Sequence, residues 1–113
     1  MDYLEITPGK RVRVEANWNA IVAFLEARGI DTMTGLADMD KLSPSQVADL
    51  MAACINEGER LDGTETHYVG IDLGAMCSLD VISEFLRIYL RQSTPKLKTS
   101  DEEAVVEDAE KKA

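Results

Sequence analysis

Apolar residues recur at every second position near the start of the chain and at every third or fourth position after it. Leu4 and Ile6 alternate with Tyr3 and Glu5, and Val12 and Val14 alternate with Arg11, Arg13 and Glu15. A period of two is that of a strand with one buried face. Between the two runs, Thr7-Pro8-Gly9-Lys10 holds Pro and Gly in the order a tight turn favours. Residues 2–15 therefore predict a β-hairpin. An isolated two-stranded ribbon is marginal in water, so its apolar face is expected to lean on the helix that follows.

That helix is predicted from about Trp18 to Arg28. Asn17 is placed to cap it, and Trp18, Ile21, Val22 and Leu25 fall on one face, widened by Phe24, with Gly29 as the stop. Residues 30–42 are less regular. Thr34 to Met39 suggests a single helical turn, with Leu36, Met39 and Leu42 as anchors. A second long helix opens at Ser43-Pro44-Ser45-Gln46, where Ser at the cap, Pro in the first turn and Gln at the third position make a capping box. Val47, Leu50, Met51, Cys54 and Ile55 continue it, and Gly58 is expected to end it. Residues 59–71 read as a polar loop. Asp72 to Met76 suggests a short turn capped by Asp72. A last helix, capped by Ser78, is predicted over Leu79–Arg91. It carries two adjacent stripes: Leu79, Ile82, Leu86, Tyr89 and Leu90 in one, and Val81, Phe85 and Ile88 in the other.

After Thr94-Pro95 the pattern dissolves. Residues 95–113 are rich in Glu, Asp, Lys, Ala and Ser, with only Leu97, Val105 and Val106 to bury. So little apolar area does not offset the entropy of ordering the segment, and a flexible acidic tail is expected. The fold class that follows is mainly α. An N-terminal β-hairpin is joined to a small bundle of three to four helices in one domain, residues 1–94, with the tail at 95–113.

Composition narrows the function. The formal net charge is −9 over 113 residues, which disfavours a phosphate-binding surface and docking on anionic lipid; neither nucleic acid nor membrane is expected as a partner. The longest uncharged apolar run, Ala20 to Leu25, is far short of the roughly 20 residues that span a bilayer. The start, Met1-Asp2-Tyr3-Leu4-Glu5, has neither the basic nor the apolar region of a signal peptide. A cytoplasmic protein is expected. Cys54 and Cys77 sit within apolar helical runs and read as small buried hydrophobes in a reducing compartment.

Motifs with intrinsic chemistry are scarce. Cys and His ligands do not occur at metal spacing, so no metal is expected. The lone histidine, His67, lies in the polar loop without a recognisable nucleophile motif. The glycines are scattered as turn and cap residues and form no phosphate loop, so no cofactor is expected. The pattern reads as a protein that binds other proteins and is not an enzyme.

The order of elements then suggests a family. A hairpin with a Gly-Lys turn runs at once into Asn17-Trp18-Asn19-Ala20 and a helix ending Glu26 to Gly29. A Leu-rich turn leads to a helix opened by Leu42-Ser43-Pro44-Ser45-Gln46 and continued by Leu50-Met51-Ala52-Ala53-Cys54-Ile55-Asn56-Glu57-Gly58. Over roughly residues 3–92 this resembles the tail assembly chaperones of long-tailed bacteriophages and prophages. Arg11-Val12-Arg13 in the second strand, Trp18 after the cap and the long polar loop depart from that pattern. The resemblance implies a non-enzymatic protein that coats the helical tape measure protein, keeps it soluble while the tail tube assembles, and touches the tail tube protein; it implies no catalytic or cofactor residues. Val81, Phe85 and Ile88, with Tyr89 and Leu90 beside them, are the candidate protein-binding surface, a helix face for a client helix. Two other classes fit the same sequence: a homo-oligomeric structural or head–tail completion protein that associates with itself, and an acidic regulatory binding module.

Overall fold

A computed structural model describes residues 1–30, 39 and 41–93. Strand β1 (Asp2–Thr7) pairs antiparallel with β2 (Lys10–Val14), with Leu4 opposite Val12 and Asp2 opposite Val14. Gly9, at φ 83°, supplies the left-handed residue of the turn, and its N–H donates to the Glu5 carboxylate at 2.7 Å. The alternation works as a one-sided ribbon: Leu4, Ile6, Val12 and Val14 are buried, whereas Tyr3, Glu5 and Arg11 face water.

Four helices follow among the described residues: α1 (Trp18–Ala27), α2 (Pro44–Leu61), α3 (Gly70–Met76) and α4 (Leu79–Ser93). The mainly α architecture with an N-terminal hairpin is the one the periodicity predicts. The cap signals of α1 and the opening signals of α2 and α4 are used. The Asn17 side chain accepts from the Ala20 N–H at 3.0 Å, and Gly29 turns the chain at φ 68°. Ser43 and Gln46 exchange both bonds of the capping box. Ser78 accepts from the Val81 N–H at the start of α4.

α2 is the central rod, and α1, α3 and β2 all pack against it. α4 lies against β1. The core between them holds Ile6, Val12 and Val14 from the ribbon, Phe24 and Leu25 from α1, Leu50, Met51, Cys54 and Ile55 from α2, Leu73 from α3, and Phe85 and Ile88 from α4. Met39 and Leu42 pack at its margin as expected. The turn expected at 34–38, its anchor Leu36 and the tail at 95–113 lie outside the described residues.

Three local expectations are corrected. Gly58 does not end its helix: α2 runs on to Leu61 and is capped at Asp62. Gly58 is there for proximity, because a β-carbon on it would overlap the Arg13 carbonyl oxygen and stand 2.6 Å from the carbonyl carbon. β2 thus crosses α2 backbone to backbone. Trp18 does not join the buried face of α1 and is 60% exposed. That face centres on Ala20, Phe24 and Leu25, and Trp18 lies beyond its edge on the helical wheel. Finally, α3 begins at Gly70 with Val69 at the cap, so Asp72 sits inside the first turn. Gly70 again allows a close approach, since a β-carbon there would overlap the Asp49 carboxylate and lie 2.8 Å from its backbone nitrogen.

Candidate functional site

The last helix carries the main candidate surface, and its two stripes take unequal roles. Phe85 and Ile88 are buried, at 0% and 2% exposure, and Val81 is partly buried against the same core. Tyr89 is half-buried, with its ring 6.1 Å from that of Phe85. Phe85 and Ile88 therefore anchor α4 to the body and are not available as a binding face, whereas Val81 and Tyr89 are only partly buried against the core, as are Ile82 and Leu86 on the neighbouring stripe. Of the five residues expected to form the surface, only Leu90 is largely exposed, at 59%.

The neighbouring stripe turns outward. Leu79 is 80% exposed, and Ile82 and Leu86 are half-buried. Leu79, Leu86 and Leu90 lie about 100–140° round the helix from Phe85, with Ile82 on the border of the core. Their spacing of three, four and four residues makes a continuous apolar flank. Next round the helix come Asp80, Glu84, Arg87 and Arg91. Glu84 and Arg87 pair within the helix, and Arg91 reaches Asp2 at the start of β1. The flank is held firmly from below. The Gln92 side chain accepts from the Ala16 N–H at 2.7 Å and donates to Val14 O at 3.0 Å and to Asp2 at 2.9 Å.

A second concavity lies between α1, α2 and the extended segment 64–69. It is an open cleft of about 570 Å³ floored by Ala23, Ala27, Ala52 and Ala53. The segment is strapped across it by Asn56. The Asn56 amide donates to Tyr68 O at 2.9 Å and accepts from Tyr68 N–H at 2.9 Å and from the Thr66 hydroxyl at 2.8 Å. The polar groups along the cleft have neighbours as partners: Asp49 pairs with Arg28, Glu57 with Arg60, and the exposed His67 ring lies beside exposed Glu65.

Glu57 is the one buried charged residue among those described. Its carboxylate accepts two bonds from Arg60, at 2.9 and 2.8 Å, one from Asn17 at 2.8 Å and a longer one from Asn19 at 3.5 Å. The Arg60 bonds first, then the Asn17 bond, hold its pKa down at about 2 against the opposing effect of burial. Asn17 thus caps α1 with its oxygen and ties α1 to α2 with its nitrogen. Nothing in the one-dimensional pattern singles out Glu57 or Asn56: Arg60 is only three residues from Glu57, but Asn17 is 40 residues from it, and Thr66 and Tyr68 are 10 and 12 residues from Asn56.

Because folding lowers the Glu57 pKa, its stabilisation is full above the ordinary carboxylate range and is lost as the pH falls from about 5 towards 2. Glu57→Gln is expected to cost about 2–3 kcal/mol at neutral pH and to flatten the acid limb of the stability curve. Urea melts at a series of pH values check this, and an unchanged acid limb in the variant would remove Glu57 from that role.

The buried Cys54 thiol is pushed up to about 12, first by burial and then by the Glu15 and Glu57 charges. It remains a neutral core side chain at physiological pH. Both cysteines are free. Among the described residues no helix is long and apolar enough to cross a membrane, and no His, Cys, Asp and Glu side chains cluster to hold a metal ion. No protein-family model matches the chain, and no curated protein or solved structure shows significant similarity to it.

Proposed function

We propose that the protein is a non-catalytic tail assembly chaperone of the long-tailed phage type, which covers apolar stripes of the tape measure protein while the tail tube forms. The observation that carries this reading is the outward flank of α4, with Leu79 80% exposed beside half-buried Ile82 and Leu86. A long amphipathic client would self-associate through its own apolar stripe unless that stripe were covered. A rigid helix with apolar residues at i, i+3 and i+7 is complementary to such a stripe. The exposed flank is offered at low cost in ordering because Phe85, Ile88 and Gln92 fix the helix that bears it. The net charge of −9 keeps the loaded complex soluble.

Co-expression with a helical fragment of the tape measure protein tests the proposal. The two chains are expected to co-purify, and Leu79→Asp is expected to weaken the complex at least tenfold, on the order of the loss of one buried leucine and the burial of a charge. Absence of a complex, or a complex equally tight with Leu79→Asp, rejects the chaperone reading.

A further inference from the structure

The charges beside the α4 flank are sorted along the helix. Asp80 and Glu84 occupy the N-terminal half, Arg87 and Arg91 the C-terminal half, and all four lie on the same side of the leucine stripe. A helix with this order is complementary to itself when two copies run antiparallel, because acidic halves then face basic halves. Asp80 makes no ion pair among the described residues. Among the described residues Arg87 pairs with Glu84, and its side chain is largely exposed.

From this juxtaposition we propose that a second copy of the chain docks on the α4 flank, antiparallel about a two-fold axis near residues 84–85, and masks it until a client arrives. Leu79 of each copy meets the partner's Leu90, and the Leu86 side chains flank the axis. Asp80 faces the partner's Arg87 at both ends, as symmetry requires of an isologous contact. A parallel two-fold arrangement puts the two charged edges on opposite sides of the seam and gains no such pair. The seam is one helix long, about 22 Å, and two chains of net charge −9 repel each other. Association is accordingly weak and reversible, which suits a cover that a client must displace. The masking role rests on the reading of this flank as the client surface; the self-association does not.

Sedimentation velocity of the full chain alone, across a concentration series, tests the pairing. A concentration-dependent monomer–dimer equilibrium is expected. Asp80→Arg and Arg87→Asp each set like charges together at both ends of the seam and are expected to weaken the dimer about tenfold. Mixing the two variants one to one restores opposite charges at both ends and is expected to recover the wild-type dimer as a heterodimer. This recovery is not expected of damage to the fold. A chain that stays monomeric at every concentration, or a dimer that the substitutions leave unchanged, overturns the inference. A monomer that still binds the tape measure fragment overturns it while the chaperone reading stands. A charge-sensitive dimer that binds no fragment supports the pairing and sinks the chaperone reading.

Discussion

Gly58→Ala is expected to lower stability by about 2 kcal/mol or more, although alanine is the better helix former by roughly 1 kcal/mol. Overpacking a tight contact ordinarily costs about 1–3 kcal/mol. Here the obstacle is main chain: the added carbon would overlap the Arg13 carbonyl oxygen and stand 3.0 Å from the Val14 nitrogen. A flexible side chain could swing aside, but β2 cannot move alone. The Arg13 N–H donates to Glu59 at 2.9 Å, and the Glu15 N–H donates to Cys54 O at 3.1 Å. Accommodating the methyl group therefore means shifting the strand off α2 and disturbing Val12 and Val14, both fully buried. For a body of this size the loss corresponds to a melting temperature lower by about 10 °C. Thermal melts followed by circular dichroism check it; an unchanged or raised midpoint would show that β2 does not press on α2 at this point.

Phe85→Asp is expected to abolish cooperative folding, whereas Leu79→Asp on the same helix is expected to change stability by less than about 0.5 kcal/mol. The phenyl ring of Phe85 is fully buried among the ribbon and the helices. Removing such a ring costs about 3–5 kcal/mol, and a carboxylate left in its place without a partner adds several more. The sum approaches the whole stability of a small domain, about 5–15 kcal/mol. Chemical denaturation of the two variants side by side reads the difference. A folded Phe85→Asp protein would place the ring on the surface and return the Val81, Phe85, Ile88 stripe to candidacy as the binding face.

That stripe shows what periodicity leaves open. Apolar residues of α4 cover an arc running from Ile88 through Phe85 to Leu90, and periodicity reports the arc without saying which edge the body covers. The covered edge is set by α4 packing on β1 and by Gln92 bonding to Val14, Ala16 and Asp2. These are contacts across nearly the whole described chain. The hairpin, the capping box of α2 and the starts of α1, α2 and α4 were legible because their causes are local: a period of two, a side-chain oxygen beside free N–H groups, a Pro in a first turn. Trp18 and Gly58 were misread for different reasons. A glycine ordinarily ends a helix, but Gly58 is set by the close approach of β2; a large aromatic ordinarily points inward, but Trp18 lies beyond the buried face of α1. The Glu57 knot was hidden because Asn17 already had a sufficient local explanation as a cap.

The Gln92 clasp has a consequence for how the chain comes off the ribosome. The ribbon precedes all four helices along the chain, yet the helix that packs on β1, with Leu4 and Ile6, is the fourth of them. α2 can reach β2 earlier, but β1 lacks the cover of α4 until residue 92 has emerged. The exposed β1 edge of that ribbon is the expected starting point of cotranslational aggregation.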